Sequence, residues 1–387
     1  MPEKTKPPAA PSGHGLSHLP YVDVEAYNAE LRDEEGFVGD RASNRAFRAL
    51  LEDLREALRN ATGDDPIGEE ASEEISKKTL DKILSKGDPE AAGVVHGAIE
   101  AFASELATVT KRFLRLKAWK NVERIAVGGG LRASRVGELA IGRASVLIKE
   151  AGHTINLVPI NHDPDHAGLI GSVHLAPTWM FQGFDGVLAI DIGGSNIRVG
   201  IVGFGGGKKT IDLAGCEVTK VILWRHRDEK PKPTRAAAIG RMVEMLEELV
   251  AYAEEKKISL APFIGVGCPG VIEEDGSISK GAQNLPGNWE SDKFNLPDEL
   301  RKRVPKIGGH DTFVALHNDA VVQGLSQFPT MNDVDHWGIL TIGTGLGNAC
   351  FFNHSREATK SELKAARAEE KAAAKQEKAA AKAEPEA

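Results

Sequence analysis

The feature that most restricts this chain is a pattern that occurs twice. GVLAIDIGGSNIRVGIVGF (186–204) and HWGILTIGTGLGNACFF (336–352) each read as an apolar strand, a glycine-rich turn and a second apolar strand, the signature of a β-hairpin. They lie roughly 150 residues apart, which implies two related halves, each opening on a glycine turn. A chain of 387 residues has room for two domains of roughly 100–200 residues each. With 41 glycines and only 5% aromatic residues, the composition suits an α/β protein with many tight turns and close approaches of backbone to ligand.

Two blocks follow from the pattern, about 15–180 and from Asp185 onward. In the first, residues 41–60 carry Phe47, Leu50, Leu51, Leu54 and Leu58 at helical spacing, and 62–88 is a charged stretch. Asp88-Pro89 then supplies an N-cap and a proline at the first helical position. The helix after it sets Val95, Ile99, Phe102, Leu106, Val109, Phe113 and Leu116 in one stripe. A strand at 123–130, a helix near 134–151, a strand at 154–160 and a helix near 166–178 complete the block. In the second block, the first hairpin is followed by a helix at 235–257, strands at 263–267 and 312–316, and a helix from Asp319. Residues 1–14 are expected to be a disordered tail and 356–387, nearly all Ala, Lys, Glu and Arg, a solvated one. Lys208 and Lys209 are expected to be solvated at a hairpin tip.

The turns carry the chemistry. In Asp191-Ile192-Gly193-Gly194-Ser195-Asn196-Ile197-Arg198, the glycines let the backbone approach an anion and aim several N–H groups at it. Ser195 adds a hydroxyl donor, and Asp191 is a strand-end carboxylate of the kind a hydrated Mg²⁺ requires. The second turn, Gly343-Thr344-Gly345-Leu346-Gly347-Asn348, repeats the cradle. Two such cradles across a cleft suit a nucleoside triphosphate. Neither holds the lysine of a Walker loop, which excludes that NTPase class.

Other classes are excluded by composition. A net charge of −8 argues against nucleic acid as a partner. Cys216, Cys268 and Cys350 are far apart, which argues against a disulfide framework and a cysteine-built zinc site. Cys268 before Pro269 reads as a small buried residue. No signal-peptide pattern and no 18-residue apolar run occur, so a cytoplasmic protein that spans no membrane is expected. His162, Asp163, Asp165 and His166 offer a metal cluster as one reading, and a proline-containing turn that caps the next helix as the simpler one.

At these residues a family resemblance emerges. DIGGSNIR and GTGLGNA resemble the two phosphate motifs of the sugar kinase/actin/Hsp70 superfamily. GVGCPGVIEEDGSI (265–278), NLPG (284–287) and HNDA (317–320) resemble the ROK family of sugar kinases and sugar-responsive repressors, which is similar to bacterial glucokinases. The resemblance implies two RNase-H-like (actin/hexokinase-type) α/β domains around a nucleotide cleft. It implies Asp319 as the catalytic base, Asn284 and Asn318 on sugar hydroxyls, and ATP with Mg²⁺ near Asp191. Gly193, Gly194, Ser195, Asn196, Arg198, Gly343, Thr344 and Gly345 would hold the phosphates, and Gly128, Gly129 and Gly130 would flank the adenosine.

Residues 86–134 and 153–176 resemble the second half of a ROK kinase, yet here they precede the Asp191 strand. The chain therefore reads as circularly permuted, and residues near 16–24 should complete the sheet beside Phe352. The implied domains are 15–165 plus 335–353 (large) and 166–334 (small). GLSHLPYVD (15–23) puts His18 where the family has a sugar-binding histidine and Gly15 where it has a glutamate. GDRASNRAF (39–47) falls at the family's zinc loop but has no cysteine, so zinc is expected to be absent, and Arg45 or a neighbour replaces a second glutamate. The expected function is ATP-dependent phosphorylation of a hexose or hexose-like sugar, without membrane or nucleic-acid partners and with a homodimer as one possible state. A non-catalytic sugar or nucleotide sensor on the same fold is the alternative; NLPG and HNDA argue against an Hsp70- or actin-like ATPase.

Overall fold

The structure is a computed structural model and describes residues 14–34, 36–206 and 210–354. The expectations for 1–13, for 356–387 and for Lys208 and Lys209 lie outside the described residues. His14, expected to belong to the tail, is buried instead: its Nδ1 accepts the Leu316 N–H at 3.2 Å.

Ten strands make two five-stranded sheets. The strands are β1 (Val22–Tyr27), β2 (Arg124–Gly128), β3 (Asn156–Pro159), β4 (Gly186–Ile192), β5 (Ile197–Gly205), β6 (Asp212–Trp224), β7 (Leu260–Cys268), β8 (Phe313–Asn318), β9 (His336–Ile342) and β10 (Leu346–Asn353). The first sheet has the order β6-β5-β4-β7-β8 and the second β1-β10-β9-β2-β3. In both, the central strand pairs antiparallel with its hairpin partner, and that partner pairs antiparallel with the edge strand. On the other side of each central strand, two strands add in parallel. The two sheets thus share the RNase-H-like arrangement of strands. The first is built in simple chain order. In the second, the third, fourth and fifth places go to β1, β2 and β3, and the first and second to β9 and β10.

The expected pairing at the chain ends is present, with the strand itself at 22–27 instead of 16–24. Val22 faces Asn353 and Tyr27 faces Ala349 across a register that shifts between Val24 and Ala26. The earlier residues are used elsewhere: Gly15 donates its N–H to the Leu316 carbonyl at 2.9 Å, beside β8.

The helices that matter are α1 (Asn44–Thr62), α2 (Lys77–Lys86), α3 (Pro89–Phe113), α4 (Arg135–Glu150), α5 (Pro164–Gly171), α6 (Arg235–Lys256), α7 (Leu296–Arg303) and α8 (Asp319–Leu325). Each starts on a side-chain cap: Ser43, Ser76, Asp88, Ser134, Asp163, Thr234, Asn295 and Asn318. Such a cap contributes about 1 kcal/mol by satisfying an orphan N–H. The α3 stripe is buried from Val95 to Phe113, while Leu116 lies beyond the helix end. The stretch 62–88 contains α2, held by Ser76 and by one buried side chain, Leu80; its charge density conceals it from a periodicity reading. β6 is likewise hidden, because most of its side chains are exposed or half-buried.

Strand alternation divides the core into three parts. Leu340 and Ile342 of β9 face α1, α3 and α4, while Leu188 and Ile190 of β4 face α6 and α7. The opposite faces, with Trp337, Ile339, Val187 and Ala189, meet between the sheets around α5 and α8. These two helices approach so closely that a Cβ on Gly171 would lie 1.7 Å from the Val322 carbonyl oxygen. The domain boundary expected after residue 165 falls inside α5.

Candidate functional site

A cleft of about 450 Å³ opens where β4 and β9 end in their glycine turns. Both turns line it, with Asp191, Asp319, Asn284, Gly129 and Gly130. Most of the expected site residues therefore share one cavity, although they come from every part of the described chain. Each turn is closed by its own backbone: Gly193 donates to the Asn196 carbonyl at 2.8 Å, and Gly343 to the Gly345 carbonyl at 2.9 Å. Gly129 has φ +84°, and a Cβ there would sit 2.2 Å from the Ile342 carbonyl oxygen. Only glycine lets this turn pass against the end of β9. Gly128 pairs with Thr341 inside the sheet and does not line the cleft.

The carboxylates sit on the first sheet. Asp191 is the penultimate residue of β4, and α5 covers it so tightly that a Cβ on Gly168 would lie 2.6 Å from its carboxyl group. Burial pushes its pKa up; Arg198, 3.5 Å away, pulls it down, and the charge of Asp165 adds to the upward shift. Arg198 also bonds to Asp165, so it bridges two carboxylates at the cleft wall. Asp319 is the first residue of α8, and its Oδ1 accepts the Ala320 N–H at 3.0 Å. Burial and then the charge of Asp191 push its pKa up to about 7. A carboxyl at that value is poised to take a proton near neutrality. Cys268 is fully buried, and its thiol is pushed well above its ordinary value, which leaves it no nucleophilic role.

Three expected sugar contacts are placed differently from one another. Asn284 is exposed on the cleft lip, where a Cβ on Gly194 would come within 3.1 Å of its Cβ. Asn318 does not line the cleft. Its Oδ1 caps α8 through the N–H groups of Ala320 and Val321, and its Nδ2 donates to the Gly270 carbonyl at 2.9 Å. With its amide oxygen on two α8 N–H groups and its amide nitrogen on Gly270, it holds the start of α8, where Asp319 stands. His18 is at the wrong end of its strand. It precedes β1, far from the turn, and its Nδ1 meets Asp23 Oδ1 at 2.6 Å. Because β1 runs antiparallel to β10, its far end is the one at the cleft, and Asn28 stands there. Arg45 is exposed and weakly paired with Asp40; its neighbour Asn44 lines the cleft and donates its N–H to the Gly343 carbonyl.

Sequence reasoning missed further residues. Arg227 donates from Nη1 to Ser195 Oγ at 3.3 Å and from its N–H to the Ser195 carbonyl at 3.2 Å. His226 is buried with Nε2 2.9 Å from the Gly193 carbonyl oxygen. With Lys232 these residues line a side chamber of about 240 Å³ that joins the cleft at Gly194, Asn284 and Thr344. The segment after β6 carries no periodic signal that could have placed them. Lys77 Nζ reaches the Gly130 carbonyl from α2, and its pKa is lowered by burial and by the charge of Arg48. Asp165 was legible only as a turn residue: Asp163 does cap α5 there, accepting the Asp165 N–H at 2.8 Å, while the Asp165 side chain turns to Arg198.

Comparison with known proteins gives one sequence relative. Over 161 residues, 42% of this chain and 43% of the relative, the sequence is 30% identical to the glucokinase of Thermotoga maritima. The chain spans less than half the length of that curated relative. Over that span the resemblance to glucokinase-like sugar kinases is borne out. No protein-family model matches. Among solved structures, similarity is found to a protein described as a sugar kinase from Cytophaga hutchinsonii, with 19% identity and TM-score 0.32 over 43% of this chain and 48% of that one. It is also found to a ROK family transcriptional regulator, a homologue of the E. coli MLC protein, with 19% identity and TM-score 0.30 over 42% and 35%. At those scores the fold assignment rests on strand order and sense alone. No helix among the described residues is long and apolar enough to cross a membrane.

Proposed function

We propose that this chain is an ATP-dependent sugar kinase of the ROK type in circularly permuted order, acting on a hydroxyl of a hexose or hexose-like sugar. The observation that carries the reading is Asp319: a half-buried carboxyl, its pKa pushed up to about 7, in the same cleft as two glycine turns suited to phosphates. The permuted order is supported by the second sheet, whose third strand comes from the N-terminal end of the chain.

In this mechanism Asp319 accepts the proton of the attacking hydroxyl while Asn318 holds α8, and so Asp319, in place. Asn284 and Asn28 offer amide groups to the sugar from the two sides of the cleft. The N–H groups of 193–195 and 343–345 hold the phosphates, and Arg227 brings a positive charge to the first turn. Gly129 and Gly130 flank the adenosine. Phosphoryl transfer asks mainly for positioning and charge stabilisation, and this inventory meets both needs. The donor set also fits a hydrated Mg²⁺: Asp191 and Asp319 are hard oxygen donors in one cleft, and the charge of Asp191 raises the pKa of Asp319. When bound, that ion supplies charge neutralisation for the triphosphate.

The test is sugar-dependent ADP release from Mg-ATP across a panel of hexoses, amino sugars and sugar acids. Turnover on at least one sugar is expected. A sugar that raises the melting temperature while none is phosphorylated would instead favour the sensor reading. The observation behind that second reading is that neither Asn318 nor His18 lines the cleft.

A further inference from the structure

Outside the cleft, one group of side chains has the chemistry of a ligand set that the proposed reaction does not use. His18, Asp23 and His354 bring two imidazole nitrogens and a carboxylate oxygen within 4.8 Å of one another. His18 Nδ1 and His354 Nε2 both point at the same atom, Asp23 Oδ1, at 2.6 and 3.0 Å. The two rings lie stacked with centroids 4.6 Å apart. We propose that these three residues form a site for a divalent first-row transition ion, Zn²⁺ or Ni²⁺, which clasps the two ends of the folded body.

Donor chemistry selects the ion. Two imidazoles and one carboxylate suit zinc, nickel or copper, whereas Mg²⁺ and Ca²⁺ ask for oxygen ligands throughout. The geometry is close to what is required. A tetrahedral ion with bonds of about 2.0–2.1 Å sets its donors about 3.3 Å apart. The two carboxylate–imidazole spacings need to open by less than about 1 Å to admit it. His18 is 78% exposed at its side chain, so a fourth position is open to water.

The backbone prearranges the set. His18 and Asp23 form an isolated antiparallel bridge, so the two side chains are presented together by a tight reversal before β1. Val22 pairs with Asn353, and His354 donates its N–H to the Tyr21 carbonyl at 3.2 Å. The ligands therefore come from opposite ends of the described chain but sit on paired backbone, and little order has to be created when an ion binds. An ion held there closes a loop of more than 300 residues and binds the folded state in preference to the unfolded one, which raises stability by mass action. The expectation that zinc is absent was drawn from the cysteine-free segment 39–47; this site lies elsewhere and needs no cysteine. It is independent of the kinase reading.

The experiment uses the full chain, stripped with chelator and titrated calorimetrically with Zn²⁺ and with Ni²⁺, with thermal melts alongside. One ion per chain is expected, with a melting temperature that rises with metal and falls back with chelator. His18→Ala and His354→Ala should each weaken binding at least tenfold, whereas His310→Ala, an exposed histidine elsewhere, should not. Cu²⁺ electron paramagnetic resonance on the unmutated chain gives a readout that does not depend on how the variants fold: nitrogen hyperfine structure from two imidazoles is expected. Absence of binding up to millimolar metal, unchanged affinity in both histidine variants, or a copper signal without nitrogen coupling would each overturn the proposal.

Discussion

The two sheets have the same strand order and the same senses, yet they are charged and assembled differently. At the end of the first sheet's central strand stands Asp191; at the matching place in the second stands Thr341, again one residue before the final isoleucine. The helix after the first sheet's fifth strand opens with Asp319 in the cleft. The helix after the second sheet's fifth strand opens with Asp163 as cap and sends Asp165 to Arg198 at the cleft wall. The two sheets thus present two glycine turns at one cleft, and both cleft carboxylates, Asp191 and Asp319, stand on the first sheet. The second difference is covalent. The first sheet is continuous, while the second is completed by a strand from the far end of the chain, so its integrity depends on side chains that hold the joint.

The largest effect is expected where the sheets differ in charge. Asp319→Asn should lower the rate of sugar-dependent ADP release by roughly 10²–10⁴. In the unsubstituted protein that rate should fall as the pH drops through about 7, because the base is then protonated. Stability should move the other way. A carboxyl whose folded pKa lies above its ordinary 3.8 disfavours the fold wherever the unfolded chain is ionised; the penalty grows from about pH 4 and is complete above about pH 7. Asp319→Asn should therefore raise the melting temperature more at pH 8 than at pH 5. An equal shift at both would show that Asp319 is not a strained carboxyl.

The next effect tests what the halves share. Gly171→Ala forces a Cβ against the Val322 carbonyl, where backbone meets backbone between α5 and α8. A loss of about 3 kcal/mol in denaturant unfolding is expected from such overpacking. A neutral result would mean that the helices do not approach as described.

The joint comes third. Asn353 is buried at the end of β10, where Oδ1 accepts from Trp337 Nε1 at 2.8 Å and Nδ2 donates to the Met331 and Val334 carbonyls, both at 2.7 Å. The end of β5, the corresponding strand, is a glycine, Gly205, with no side chain to contribute. Asn353→Ala should cost about 2 kcal/mol by leaving buried partners unsatisfied, and amide exchange should accelerate in β1 before it does in β6. Equal acceleration in both edge strands would dissolve the distinction between a continuous and a jointed sheet.

The smallest effect concerns the second cradle. A Cβ on Gly345 meets nothing within 4 Å, so Gly345→Ala should change stability by no more than about 0.5 kcal/mol. The methyl group would still stand where the proposed mechanism places phosphate, so ATP affinity, measured by titration, should fall. Unchanged affinity would mean that only the first turn carries the triphosphate.

Much of this molecule was legible in one dimension. The hairpins, the long helix from Pro89 and the caps at Asp88 and Asp163 are set by local patterns, because burying an apolar stripe and satisfying a helix's first N–H groups are needs that neighbouring residues meet. The glycine turns and Asp191 were legible for the same reason, since a glycine turn closing a hairpin is a local backbone shape. Residues 62–88 and the segment after β5 were not, because charge masks α2 and exposure masks β6, whose stability comes from partners far along the chain. Tertiary structure alone decided that Asn28 and not His18 reaches the cleft, since that depends on the direction in which β1 lies against β10. It alone decided that Asn318 holds α8 and Gly270, that Arg227 reaches Ser195, and that burial and Asp191 push the Asp319 pKa up to about 7. Residue type fixes what a side chain can donate or accept. Which atom it meets, and how much water is left around it, is fixed only when distant strands and helices close on the same few ångströms.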